Sequence, residues 1–332
     1  MAEDANRSTT RILVAVIVVA AVVLVALIVA ATVLRGGSDD EPPVTATSPT
    51  TTTSSVPSVP PTSSSTTTEE PRVRVQDHVV PAGLIQREYL TVTPLDVRSG
   101  ERLPVVVALH GLGVDRSAML NAADWRGAVE RDRFVAVFPQ GIANSWNMGP
   151  CCPPANLLGT DDLAYLDTVL AEVTARPEVD AARSYLTGFS NGGVMAYWVA
   201  CSRPDDYVSV APMAGSNLTG CHPDRPMSLL HQHSDPDPVV PYDGLPTLTQ
   251  LLSSADFPDV PTSTAAWAEA NGCAATPEEA ELGSGIERTE WSGCDDGTVV
   301  ELVRIPGRGH QWPEVGDYDG LDEMLRFFDL TS

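Results

Sequence analysis

Arg183-Ser-Tyr-Leu-Thr187-Gly188-Phe189-Ser190-Asn191-Gly192-Gly193-Val-Met-Ala-Tyr-Trp-Val-Ala-Cys201 decides how the chain is read. The first five residues are rich in strand formers, and the run from Gly193 has a helix pattern. Between them stands Gly-x-Ser-x-Gly. A serine in this pattern, at a strand-to-helix turn, is a nucleophile elbow. The turn is sharp and strained, and side chains two residues before or after the serine would collide there. Glycine is therefore needed at 188 and at 192. The pentapeptide alone occurs in many glycine-rich turns; the flanking strand and helix give it meaning.

A serine hydroxyl is a weak nucleophile at neutral pH and needs a base, which in turn needs an orienting acid. In the α/β-hydrolase order both follow the serine, acid first and histidine last. Four histidines follow Ser190: His222, His231, His233 and His310. His310 stands in Gly307-Arg-Gly-His310-Gln-Trp-Pro313, after the apolar run Val299 to Ile305 and before a final helix pattern, Tyr318 to Leu330. That position predicts His310 as the base. The acid belongs after the preceding strand, read as Met227 to His231. Asp235 and Asp237 both qualify, each before a proline and so on extended or turning backbone. Spacing does not choose between them. The oxyanion hole needs two backbone amides. One is expected from Asn191, the residue after the nucleophile. The other is expected from Leu112, in the His110-Gly111-Leu112-Gly113 loop after the buried strand Leu103 to Leu109. His110 is expected to support that loop.

A competing reading starts from His231-x-His233-x-Asp235. Two imidazoles and a carboxylate at this spacing could hold Zn²⁺ for a metal-dependent hydrolase. The corresponding metallohydrolase motif goes on to a further histidine, where this chain has Pro236.

Composition divides the chain into segments. Ile12 to Leu34 is 23 residues with no charge and one polar residue, Thr32. As a helix it would span ~35 Å, enough for a hydrocarbon core of ~30 Å. A cleaved secretory signal usually has a shorter apolar stretch and a small-x-small site. We therefore expect residues 1–11 in the cytoplasm, 12–34 as a single-pass anchor and 35–71 as a disordered linker. Residues 72–332 are expected as an extracellular catalytic domain that meets the membrane through that helix alone. A cut near Arg35 would instead yield a secreted enzyme. In the linker, 25 of the 36 residues from Gly36 to Pro71 are Ser, Thr or Pro, too little apolar surface to fold.

The whole chain carries a formal charge of −24, and residues 72–332 hold 37 acidic residues against 17 arginines, with no lysine. Such a field disfavours nucleic acid and polyanionic substrates. It suits neutral polymeric or small-molecule esters, or serves solubility alone. All six cysteines lie in 72–332, an even count that predicts disulfides outside the cytoplasm. Cys273 and Cys294 are expected to pair. Cys151 and Cys152, being adjacent, are expected to take different partners among Cys201 and Cys221.

Several stretches occur in an order that carries a resemblance. They are Val105-Val-Val-Ala-Leu-His-Gly111, Phe138-Pro-Gln-Gly141, Ser145-Trp-Asn147 with Cys151-Cys152, and Asp161-Asp162-Leu-Ala-Tyr-Leu166. Then come Thr187 to Gly193, Asp237-Pro-Val-Val-Pro-Tyr242 and Gly309-His-Gln-Trp-Pro313. Over nearly all of 75–330 the chain resembles the polyhydroxybutyrate depolymerase and feruloyl esterase group, of the carbohydrate esterase family 1 type. The resemblance implies an α/β-hydrolase fold, with a mostly parallel sheet and helices on both faces. It implies a Ser190–His310–Asp237 triad with no cofactor or metal, acting on polyhydroxyalkanoate, feruloyl or acetyl esters. It selects Asp237, because the family's acid directly precedes Pro-Val-Val-Pro-Tyr. The family usually has His-Gly-Thr-x-Asp there, whereas this chain has His233-Ser-Asp-Pro-Asp237. Trp146 and Trp312 are expected to line the cleft and stack on substrate. Asp161 and Asp162 are expected as helix N-cap and dipole residues. The non-enzymatic alternative is a carbohydrate- or cell-wall-binding module that keeps the fold without turnover.

Overall fold

A computed structural model describes residues 72–149, 151–244, 258–316 and 318–331. The expected anchor, 12–34, and linker, 35–71, lie outside the described residues. Among the described residues no helix is long and apolar enough to cross a membrane.

Among the described residues ten strands form one sheet. In chain order the elements are β1 (Val73–Ala82), β2 (Ile85–Pro94), β3 (Leu103–Leu109), α1 (Arg116–Leu120), α2 (Trp125–Asp132), β4 (Val135–Pro139), α3 (Ala155–Leu158) and α4 (Asp162–Thr174). There follow β5 (Val179–Phe189), α5 (Asn191–Ser202), β6 (Ser209–Met213), β7 (Ser228–Asp235), α6 (Val260–Ala270), β8 (Glu278–Glu281), β9 (Glu287–Trp291) and β10 (Val300–Pro306). The chain ends with the short pair β11 (Glu314–Val315) and β12 (Tyr318–Asp319) and then α7 (Gly320–Phe327).

The sheet order is β1-β2-β4-β3-β5-β6-β7-β10-β9-β8. The six strands from β4 to β10 run parallel. An antiparallel hairpin closes each side, β1–β2 against β4 and β8–β9 against β10. This is the α/β-hydrolase fold expected from the sequence.

Period-2 alternation builds a core on each face. Leu103, Val105, Val107 and Leu109 of β3 face one layer, with α4, α5 and α6. Val106 and Ala108 face the other, with α2 and α7. Helix α5 is buried almost all round, which is why its pattern is apolar rather than amphipathic. Helix α7 turns Leu321, Met324 and Leu325 inward and leaves Asp322 and Arg326 outside. Part of the negative charge has a local task. Asp115, Asp124, Asp161, Asp259 and Asp319 each precede a helix and accept a first-turn amide. A cap of this kind is worth about 1 kcal/mol. Asp162 stands in the first turn of its helix as expected, and it is also buried and accepts from Arg87 Nη1 at 2.6 Å.

The cysteines pair as 151–152, 201–221 and 273–294. The third pairing is as expected. The first corrects the expectation that adjacent cysteines part. Cys201 lies in the last turn of α5 and Cys221 in the loop after β6, with Cα atoms 6.1 Å apart, so those two satisfy each other. The neighbours at 151 and 152 are left to join.

Candidate active site

Ser190 directly follows β5 and stands at the N-cap of α5, with φ 57° and ψ −119°. A non-glycine residue resists such a backbone unless its surroundings impose it. Here the Ser190 amide donates to the Met213 carbonyl at 2.9 Å, and its carbonyl accepts from Val194 at 3.0 Å. The glycines make room. A Cβ on Gly188 would strike the Gly192 carbonyl, and one on Gly192 would strike the carbonyls of Leu109 and His110. The helix N-terminus behind Ser190 favours negative charge on the reacting side.

Three side chains from distant parts of the chain meet at this turn. Ser190 Oγ donates to His310 Nε2 at 2.7 Å, and His310 Nδ1 donates to Asp237 Oδ2 at 2.7 Å. His310 lies on the loop after β10, and Asp237 on the loop after β7, the adjacent strand. Asp237 Oδ1 accepts the amides of Val239 and Val240 at 2.8 and 2.9 Å. Burial alone would push the Asp237 carboxyl up. Hydrogen bonds from His233, His310 and the Val239 amide outweigh it and hold the group well below the usual carboxylate range.

Asp235, the other candidate acid, faces elsewhere. Arg304 Nε and Nη2 both reach its Oδ2, at 2.8 and 2.7 Å. The same contact removes the metal reading. His231 and His233 bond to each other, and the third ligand is drawn to Arg304 on neighbouring β10. Among the described residues no group of three His, Cys, Asp or Glu side chains is arranged to hold a metal ion.

The loop after β3 touches the elbow: a Cβ on Gly111 would lie 3.4 Å from Ser190 Cβ. His110 secures that loop. Its Nδ1 donates to the Gly111 carbonyl at 2.8 Å, and its Nε2 accepts the Gly141 amide at 2.9 Å. An Nε2 that accepts an N–H belongs to a neutral ring, and burial lowers the His110 pKa in the same sense. Leu112, next in that loop, has an exposed side chain. Asn191 opens α5 and is fixed by the Trp146 amide, which donates to its Oδ1 at 2.8 Å.

The two tryptophans part company. Trp146 is fully buried, packs against His110 and Tyr165, and donates through Nε1 to the His110 carbonyl at 2.9 Å. It has no surface to offer a cleft, so the expectation that it lines one is corrected: it braces the loops from beneath. Trp312 does line a cavity, of about 280 Å³, with Gly111, Val114, Met119, Phe189 and His310. Sequence reasoning missed Phe189, Val114 and Met119. Phe189 is the variable residue before the nucleophile, and its ring lies 5.1 Å from that of His310. That adjacency was a usable signal. Met119 had none, because its place depends on how α1 folds back after the His110 loop.

Residues 87–287, more than half of the chain, match the Esterase family. The chain belongs to that family. This esterase is 30% identical to feruloyl esterase C of Emericella nidulans over 252 residues, 73% of this chain and 83% of the relative. It is 28% identical to feruloyl esterase B of Piromyces equi over 236 residues, 68% of this chain. That alignment spans 42% of the Piromyces protein. The solved acetyl xylan esterase from Aspergillus awamori aligns over 78% of this chain and 100% of its own, with a TM-score of 0.57 and 14% identity. At that identity the likeness speaks for the fold alone. The esterase is a feruloyl esterase-like α/β-hydrolase and a carboxylic-ester hydrolase.

Proposed function

We propose that Ser190, His310 and Asp237 hydrolyse esters through an acyl-enzyme. Ser190 Oγ attacks the ester carbonyl while His310 Nε2 takes its proton. Asp237 orients the imidazole and stabilises the imidazolium. The amides of Asn191 and Leu112 receive the oxyanion. His310 returns the proton to the leaving alcohol, and water repeats the sequence on the acyl-enzyme. No metal or organic cofactor takes part. The observation that carries the reading is the pair of 2.7 Å contacts linking the three side chains.

The cavity beside Trp312 would receive an apolar portion of the ester. Feruloyl, acetyl and hydroxyalkanoate esters are the substrate classes proposed, with the acidic charge favouring neutral ones. We further propose that residues 72–332 work outside the cell, tethered by 35–71 to a span at 12–34. Three disulfides suit an oxidising compartment.

The test is hydrolysis of p-nitrophenyl acetate and butyrate, methyl ferulate, acetylated xylan and a hydroxybutyrate oligomer by the full chain. It is run before and after EDTA, and with Ser190→Ala. Activity that survives EDTA and falls at least about 10³-fold in the variant is expected. Undiminished turnover in Ser190→Ala would falsify the mechanism. Fractionation of the native host, with N-terminal sequencing, tests the anchor: a soluble protein starting near residue 35 would replace it with a cleaved signal.

A further inference from the structure

Behind Asp237 runs a buried chain of polar side chains that the triad does not account for. Tyr197 Oη lies 2.7 Å from His231 Nδ1, and His231 Nε2 lies 2.9 Å from His233 Nδ1. His233 Nε2 lies 2.8 Å from the Val240 carbonyl and 3.5 Å from Asp237 Oδ2. Tyr197, His231 and His233 are all buried.

With both imidazoles neutral, the far end sets the direction of every proton in the chain. A carbonyl and a carboxylate only accept, so His233 Nε2 carries hydrogen and donates. In a neutral ring Nδ1 is then an acceptor, so His231 Nε2 donates to it. His231 Nδ1 is in turn an acceptor, and the Tyr197 hydroxyl donates to that. All three donors point the same way, toward Asp237. This direction holds while both rings are neutral. Burial lowers the His231 pKa in the same sense, with His233 adding to it. The titratable groups facing the chain are Asp237 from the loop after β7, Tyr242 beyond it and Tyr197 from α5.

The chain reaches Asp237 by two routes. One is the direct approach of His233 to Oδ2, the oxygen that receives His310. The other is the Val240 peptide: its carbonyl accepts from His233, and its amide donates to Asp237 Oδ1. We propose that Tyr197, His231 and His233 are positioning residues for the esterase reaction, a one-directional donor chain that aims the Asp237 carboxylate at His310 and tempers its basicity. The inference rests on the triad reading. The sign follows from charge. A donor on Asp237 draws off part of its negative charge and so makes His310 a weaker base. Removing the donor makes His310 easier to protonate, and the acid limb of the pH profile moves to higher pH.

The test compares the full-length wild type with Tyr197→Phe, His233→Gln and His233→Leu. Rates are normalised to the fraction of sites titrated by a fluorophosphonate, so misfolded protein does not count. In Tyr197→Phe, kcat should fall roughly two- to tenfold, the worth of one net hydrogen bond. KM should hold, and the acid limb of kcat/KM should shift upward. His233→Leu should lose more of kcat and shift further. His233→Gln, which keeps an N–H near the Nε2 position, should recover most of the leucine variant's loss. If His233→Leu yields no folded protein, the near-isosteric Tyr197→Phe decides. Variants with wild-type kcat and an unmoved acid limb, and only a lower Tm, would reduce the chain to packing and overturn this inference alone. Wild-type turnover in Ser190→Ala would remove the triad reading and the inference together.

Discussion

Asp235 and Asp237 are two residues apart, yet Arg304 holds the first and His310 the second, each at 2.7 Å. The intervening turn sends their carboxylates to different partners on and beyond β10. Asp237→Asn should therefore lower kcat by about 10³- to 10⁴-fold, since His310 loses the group that fixes its tautomer. Asp235→Asn should keep kcat within a few-fold and cost no more than about 1 kcal/mol, as its ion pair is partly exposed. Steady-state kinetics on the two variants decide; greater damage at 235 would reverse the assignment.

The two tryptophans should fail in different ways. Trp146→Ala removes a fully buried ring and should destabilise the fold by about 3–5 kcal/mol. Trp312→Ala opens the cavity wall. It should raise KM for esters with a bulky apolar group while leaving acetate esters and Tm less affected. Thermal melts beside kinetics on two acyl lengths separate the outcomes.

Acid should weaken the fold from pH ~6.5 downward, well before the carboxylates titrate. His231 and His110 are held neutral chiefly by burial, with pKa values lowered from 6.5. Below 6.5 the unfolded chain binds protons there that the folded chain refuses, so stability falls with falling pH. Each such imidazole contributes a slope of about 1.4 kcal/mol per pH unit. His231→Gln should remove about one proton from that linkage, read as a flatter plot of unfolding free energy between pH 6.5 and 5. Asp237, with its pKa depressed, adds its own loss as pH falls from the usual carboxylate range downward.

Mapping the bridges checks the correction at 151 and 152. A proteolytic digest without reduction should give one peptide with an internal Cys151–Cys152 bridge, and two cross-linked pairs, 201–221 and 273–294. Breaking the second bridge by Cys201→Ser with Cys221→Ser should lower stability by about 2–4 kcal/mol, in line with the 20-residue separation it closes. A peptide joining 151 or 152 to 201 or 221 would contradict the pairing described.

Much of this site was legible because steric rules are local. Only glycine fits at 188 and 192, and the serine between them needs a histidine and an acid further along. The choice of Asp237 was not local. Asp235 ends β7 and Asp237 stands two residues beyond it, both precede a proline, and the arginine that separates them is about seventy residues away. Trp146 misled for the same reason. A tryptophan in a loop reads as exposed until the loop is found to fold beneath the elbow. The outer strands were hidden too. Glu-Glu-Ala-Glu at 278–281 is exposed throughout and shows no alternation. It is a strand because β9 offers it an edge.

The antiparallel hairpin β1–β2 also settles from which side the catalytic fold can be held. Val73 pairs with Pro94, and Tyr89 of β2 pairs with Pro139 at the end of β4. Strand β1 therefore starts at the end of the sheet where the parallel strands begin, while Ser190, Asp237 and His310 all lie where those strands finish. Immobilising the enzyme on a bead, or displaying it on a particle, through the end that leads into Val73 keeps the whole catalytic rim open. A solid or polymeric ester, which cannot thread past a support, would still reach the serine.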